Sequence, residues 1–202
     1  MVAAIAALVF PARCPGCGVP AEPVCRACRS AARPAPHAAL PVGLADLFVP
    51  FAYEGVVREL VARAKYRDRH AALAWLASEM VATIGGASIG IDVVTWAPTT
   101  RSRRRARGFD QAEVLARAVG AEMRRPVRAQ LRRVSGAPQT GAGRADRAVG
   151  PVFVPLRNMS AGRTVVLVDD VVTTGATMRA AATALSFGGA AVVVGAAAAR
   201  RP

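Results

Sequence analysis

The sequence predicts an α/β fold: an open, mostly parallel sheet preceded by a small four-cysteine module. Three observations carry this. Apolar, β-branched runs alternate along the chain with stretches whose apolar residues recur at helical spacing, the pattern of a parallel sheet layered with helices. The run Val165–Val168 reads as a buried strand, and the segment after it opens a helix through Ala184 to Phe187. All four cysteines lie in two C-x-x-C pairs near the start of the chain.

The first ten residues, Met1 to Phe10, are apolar and read as a short helix packed on the domain. No basic segment precedes them, and the run is too short to span a bilayer, so the expected location is cytoplasmic, without membrane insertion. Cys14-Pro-Gly-Cys17 and Cys25-Arg-Ala-Cys28 follow, separated by seven residues. The x-x spacing lets two thiolates turn onto one cation, and two such turns complete a tetrahedral zinc site with no open position, hence a structural one. Gly16 and Gly18 suit the tight turn, and Arg13, Arg26 and Arg29 offset thiolate charge. Two disulfides or free thiols are the alternatives, and disulfides are disfavoured in a reducing compartment. The basic knuckle could also touch nucleic acid, which zinc alone does not establish.

A Pro- and Ala-rich stretch, Arg33 to Pro41, reads as a linker, giving a zinc module with linker over 1–41 and a larger domain over 42–202. In that domain Leu47 to Tyr53 is an expected strand, edge-placed or bulged by Pro50. Gly55 to Tyr66 and His70 to Ile84 carry helical stripes, the second ended by Gly85-Gly86. Ile91 to Trp96 is an expected buried strand, Asp110 to Met123 a helix and Val127 to Leu131 a strand. Val152 to Val154, Thr164 to Val168 and Ala190 to Ala198 complete the set. Trp75 and Trp96 fall in apolar patterns and are expected in the core, whereas His37 and His70 are expected at the surface.

The 202 residues are 53% hydrophobic and 20% charged, which excludes disorder as the default. Net charge is +14, and Lys65 is the single lysine. A basic surface suits a sugar phosphate or nucleic acid. The aromatic content of 5% argues against a stacking platform for single strands.

Asp169 and Asp170 stand at the carboxyl end of the Val165–Val168 strand, followed by Thr173-Thr174-Gly175-Ala176-Thr177. Helix starts leave backbone N–H groups unpaired and favour anions. Gly175 permits close backbone approach, and the three threonine hydroxyls add donors. This is a phosphate cradle beside two carboxylates, which would face ribose hydroxyls or a magnesium-bearing polyphosphate. An ordinary strand–turn–helix with a Thr cap is the bland alternative. A second loop, Pro98 to Gln111, follows the Ile91–Trp96 strand and is dense in arginine, whose planar guanidinium groups grip phosphate. Arg103 to Arg107 could equally be a solvated loop or a nucleic-acid patch, and Lys65 a solvated helix end.

The thirteen positions from Val165 to Thr177 resemble the phosphoribosyl-pyrophosphate signature of type I phosphoribosyltransferases. Together with the cysteine pairs, Ala64-Lys65-Tyr66 and Arg104-Arg105-Ala106-Arg107-Gly108-Phe109-Asp110-Gln111, they make the whole chain resemble the ComF family. That family is phosphoribosyltransferase-like and associated with DNA uptake in naturally competent bacteria. The resemblance implies a sheet of the type I phosphoribosyltransferase kind. It implies phosphoribosyl pyrophosphate bound with Mg2+, its 5′-phosphate at Thr173 to Thr177 (Thr173, Thr174, Gly175, Ala176, Thr177) and its ribose hydroxyls on Asp169 and Asp170. Pyrophosphate would meet Thr99, Thr100 and Arg101, helped by Lys65 or Arg103. Catalysis would be leaving-group charge neutralisation and alignment, with no protein nucleophile. Two roles stay open: transfer of phosphoribosyl to an acceptor the sequence does not name, or a non-catalytic sensor working with single-stranded DNA or DNA-uptake proteins.

Two positions depart from the family. Asp110 replaces the usual Asn, adding charge beside the pyrophosphate loop while remaining a good helix cap. Ser135 to Phe153, which resembles the mobile hood of type I enzymes, keeps Gln139 and Arg147 but lacks the Asn and looks shortened.

Overall fold

The computed structural model describes residues 13–21, 23–64, 70–87, 89–134, 150–156 and 160–202. The expected helix at Met1 to Phe10, Lys65, Gln139 and Arg147 lie outside them.

The centre is a strand with a run of four residues that meet no water. β6, Thr164–Val172, has Val165, Val166, Leu167 and Val168 fully buried. It pairs in parallel with β7, Val192–Arg200, on one edge and with β3, Val93–Trp96, on the other. Beyond β7 lies β1, Asp46–Phe48, so the order is β1-β7-β6-β3, all parallel. The chain leaves the β1 ladder at Val49-Pro50 and rejoins β7 as β2, Phe51–Ala52. One expected strand is therefore two short ones, because proline has no N–H to give a ladder.

Side-chain alternation sends β6 into two cores. Val166 and Val168, with Val194 and Ala196 of β7, face α2 (Gly55–Arg63), α3 (His70–Gly85) and α5 (Gln111–Glu122), meeting Leu60, Leu76, Met80 and Leu115 among others. Cys14, Val24 and Cys28 are buried in this same core, so the cysteine segment and its short helix α1, Arg26–Ser30, pack directly on the layer. Val165 and Leu167 face the other way, onto Met178, Ala181 and Leu185 of α6, Ala176–Phe187. A separate antiparallel ribbon, β4 (Leu131–Val134) with β5 (Val152–Pro155), adds Leu131 and Phe153 to this second core. Each large aliphatic side chain so buried contributes about 1.5–3 kcal/mol. Both tryptophans are buried, as expected, and Trp75 stacks on Phe51 with ring centroids 5.0 Å apart.

Three expectations need correction. The strand at Val165 does not end at Val168: β6 continues to Val172, because Asp169, Val171 and Val172 keep partners on the longer β7. The expected strand Val127–Leu131 begins only at Leu131; Val127 makes an isolated parallel bridge to Val94. The arginine-rich stretch is a helix, α4, Arg101–Arg107, capped by the Thr100 hydroxyl, which accepts from the Arg103 N–H, and ended by Gly108 at φ 80°. A left-handed residue after the last turn is a standard helix stop, and glycine adopts it without strain.

Val127 reaches β3 because Gly120 of α5 has no side chain. A Cβ there would overlap Val127 Cγ2 and lie 3.1 Å from the Arg125 carbonyl oxygen. Gly120→Val is expected to destabilise the protein by about 1–3 kcal/mol through overpacking. Gly90→Ala, at a position where an added Cβ would meet no atom within 4 Å, should leave the denaturation midpoint within experimental error. Urea denaturation of the two variants checks this.

Candidate functional site

The site forms where the sheet is uneven. β3 stops beside Val168, and the Ala97 N–H donates to the Val168 carbonyl at 3.0 Å before the chain turns away. Among the described residues, β6 runs on past this point with only β7 beside it. Asp169 and Asp170 therefore stand on the half-open edge left by β3, outside the carboxyl end of a parallel strand, where ligands bind in such sheets.

Both acids are half-buried. Each carboxylate turns back on the backbone: Asp169 Oδ1 accepts from the Asp170 N–H, and Asp170 Oδ1 from the Val171 N–H, both at 2.8 Å. Burial, then the charge of Asp170, raises the Asp169 carboxyl well above the usual carboxylate range, and the backbone bond only partly opposes this. The repulsion between the two adjacent carboxylates is thus only partly offset.

The phosphate-type loop follows. Thr173 and Thr174 are exposed, Gly175 is buried at φ 72°, and α6 starts at Ala176. The left-handed turn at Gly175 aims the chain into the helix. The Thr174 hydroxyl accepts from the Ala176 N–H at 3.4 Å, and the Arg179 N–H closes the first turn on the Gly175 carbonyl at 2.9 Å. A Cβ on Gly175 would come within 2.9 Å of Pro41 Cγ, so the linker fits only against glycine.

Across the crevice, Asp110 organises the second loop. It is 3% exposed, and its two oxygens serve two elements. Oδ2 accepts from the Thr99 N–H at 2.9 Å, and Oδ1 accepts from the Ala112 N–H at 3.2 Å as the N-cap of α5. The charge that sequence placed beside the loop is thus bonded into its base. Burial pushes the Asp110 carboxyl up, against these N–H bonds. Thr100 is committed as the cap of α4 and lies 3.1 Å from Ser102 Oγ. Arg101 and Arg103 are exposed, while Arg104 pairs with Glu113 at 3.6 Å.

The structure also brings in a residue that sequence reasoning missed. Arg133 of β4 sits 5.5 Å above the Phe153 ring and donates to the Pro98 carbonyl at 3.5 Å. It is close enough to feel Arg103, Asp169 and Asp110, and burial, then Arg103, lowers its pKa. Its only sequence signal was an arginine on a strand leading to the hood segment. The structure groups Asp169, Asp110, Arg103 and Arg133 around the Thr99–Arg101 turn, with Asp170 beside them; Lys65 lies outside the described residues.

The cysteines form a second centre. All four Sγ atoms lie within 4.8 Å of one another. The first knuckle closes through the Gly18 N–H to the Cys14 carbonyl and the Cys14 N–H to the Val19 carbonyl, both 2.8 Å, with Gly18 at φ 81°. Arg13 donates to the Gly18 carbonyl at 3.0 Å, and Arg63 of α2 to the Pro15 carbonyl at 2.9 Å, fastening the knuckle to the domain. Burial raises the Cys14 thiol, but N–H groups of Cys25, Cys17 and Gly16 outweigh it and bring it down to about 6. Burial and the neighbouring sulfurs raise Cys28. Four converging sulfurs with N–H donors aimed at them suit a structural zinc.

Residues 106–202, just under half of the chain, match the family described as Phosphoribosyl transferase domain. Competence protein ComFC of Bacillus subtilis (strain 168) is 28% identical over 132 residues, which is 63% of this chain and 52% of that protein. The chain therefore spans about half the length of the curated relative it matches. Among solved structures, the allosteric regulatory enzyme of purine biosynthesis overlaps with a TM-score of 0.47 at 22% identity, over 68% of this chain and 30% of that one. Glutamine phosphoribosylpyrophosphate amidotransferase from B. subtilis overlaps with a TM-score of 0.46 at 23% identity, over 66% and 30%. Among the described residues no helix is long and apolar enough to cross a membrane. With its parallel sheet, its match to the phosphoribosyl transferase domain over 106–202 and its N-terminal four-cysteine cluster, the chain is similar to a ComF-type competence protein.

Proposed function

We propose that the crevice beyond Val168 binds phosphoribosyl pyrophosphate with Mg2+, and that the protein transfers the phosphoribosyl group to an acceptor in the service of DNA uptake. One observation carries this reading: an acidic pair on the free edge of β6, followed at once by a left-handed Gly175 turn into α6. Ribose hydroxyls would donate to Asp169 and Asp170, giving those crowded carboxylates the partners they lack. The start of α6, with Thr173, Thr174 and Thr177, would take the 5′-phosphate. Arg101, Arg103 and Arg133 would meet the pyrophosphate. Bound magnesium supplies charge neutralisation of the polyphosphate, and the arginines add to it as the leaving group departs. The link to DNA uptake rests on the likeness to a competence protein.

The second reading, a non-catalytic sugar-phosphate sensor with a DNA-uptake protein or single-stranded DNA as partner, has its own observation. The Thr99 N–H is already donated to Asp110, so one donor and some positive potential are withheld from the leaving group. For the cysteine centre we propose one structural zinc, in a module with its linker over 1–41 ahead of a phosphoribosyltransferase-like domain over 42–202.

Calorimetric titration should give magnesium-dependent binding of phosphoribosyl pyrophosphate, weakened at least tenfold, about 1.4 kcal/mol or more, in Asp170→Asn. A folded, zinc-loaded protein without binding would sink both readings. Pyrophosphate release with a panel of acceptor bases separates transferase from sensor.

The raised Asp169 carboxyl predicts a pH effect on the ligand-free protein. Between the unfolded carboxylate range and the higher folded value, the native state holds a proton that the unfolded chain has lost. Stability therefore falls as pH rises through the folded value. Asp169→Asn should remove that slope and raise Tm at pH 8 by about 2–4 °C, while abolishing ligand binding. Thermal melts from pH 4 to about 8 test this, and an unchanged slope in the variant would refute it.

Elemental analysis should find one zinc per chain. Because Cys14 and Cys28 are part of the core, stripping the zinc with a chelator should lower Tm by about 10 °C or more.

A further inference from the structure

Arg200 closes β7 with partners on both edges, Ala52 of β2 and Val172 of β6. Its side chain, on a residue 9% exposed, makes no hydrogen bond or ion pair among the described residues. Its guanidinium nitrogens are not among the buried unpaired polar atoms, so they stay open to the solvent of the neighbouring cavity, and the strand pairing holds the residue in place there. Arg200 lines a cavity of 320 Å³ between the linker and edge strand β1. Pro36 and Leu40 form the linker wall, and Leu47 and Val49 the strand wall. Leu40 is 45% exposed at the mouth. The other polar lining residues are His37 and Asp46, both exposed, and the Asp46 carboxylate already accepts the Leu47 N–H at 2.7 Å.

We propose that this cavity is a second ligand site, taking a small molecule with an apolar ring and one carboxylate, the carboxylate gripped by Arg200. The volume suits a small organic molecule, and four apolar residues offer a ring more than they offer a charged body. The planar guanidinium matches a planar carboxylate through two parallel bonds. The lining holds one arginine and no second cation, which favours a single carboxylate over a phosphate. The cavity lies at the carboxyl end of β7, and its linker wall continues to Pro41, which touches Gly175 of the phosphate-type loop. The site is thus attached to that loop, although its existence does not rest on what the loop binds.

Benzoate is the probe, titrated into the full, zinc-loaded chain without nucleotide or sugar phosphate and followed by amide NMR shifts. Saturable shifts are expected at residues 35–40, Leu47, Val49 and Arg200. Benzamide, uncharged and of the same shape, should bind at least tenfold more weakly, and inorganic phosphate should not displace benzoate. Arg200→Gln should weaken benzoate at least tenfold, Arg200→Lys less, and Arg201→Gln less than twofold. Equal binding of benzoate and benzamide, shifts confined to other regions, or no saturable shift up to about 10 mM benzoate would overturn the proposal. If Arg200→Gln does not fold, the benzoate–benzamide comparison on the unaltered chain still decides.

Discussion

The structure depends on the double burial of β6. A strand covered by helices on both faces and paired on both edges has no room for a polar group until one of its neighbours stops. β3 is the neighbour that stops, after Trp96, and the first charged side chains of β6 come immediately after its partner Val168. The crevice is a consequence of unequal strand lengths. β7 keeps pairing to Arg200 and holds the acidic segment extended, so the carboxylates are fixed by backbone bonds and not by a loop. This is the preorganisation that a binding site for charge needs, and its cost appears in the raised Asp169 carboxyl.

Asp110 couples the two halves of the crevice. A buried carboxylate that accepts from both Thr99 and Ala112 ties the turn after β3 to the start of α5. An asparagine side chain has one carbonyl oxygen and cannot accept both bonds through separate oxygens. The aspartate therefore strengthens the turn while adding a negative charge near Asp169. Arg133, reaching from the β4–β5 ribbon to the Pro98 carbonyl, returns positive charge to the same spot. The ribbon and the turn are thereby linked across the site by a residue that neither strand periodicity nor the motif pointed to.

What was legible in the sequence is what is local. The run Val165–Leu167, the acids and the Gly175 turn lie within thirteen positions, and their order dictates strand, edge and helix start. The C-x-x-C pairs were legible for the same reason. The end of β6 was not, because it is set by how far β7 runs, a property of another segment. Arg133 and Arg200 were missed because each matters only through distant neighbours, Pro98 and Phe153 for one, β2 and the linker for the other. The helix Arg101–Arg107 is a different error. Its signals were present, a Thr cap and a Gly stop, but a run of arginines outweighed them in the reading. Arg104 meets Glu113 of the next helix, and Arg101, Arg103 and Arg105 are exposed, so like charges are tolerated because water surrounds them.

That tolerance bears on the net charge of +14. If the basic charge served only to bind nucleic acid over a broad face, the acids would be expected to stay clear of it. Instead Asp110 and Asp169 stand near Arg133, itself near Arg103, so that the carboxylates and Arg133 lower the cost of each other. A polyphosphate sugar presents both demands at once: anionic groups for the arginines, and hydroxyl donors for the carboxylates. A nucleic-acid backbone presents mainly the first, and the carboxylates would repel it. The mixed crevice therefore suits the proposed phosphorylated sugar better than it suits a nucleic-acid strand.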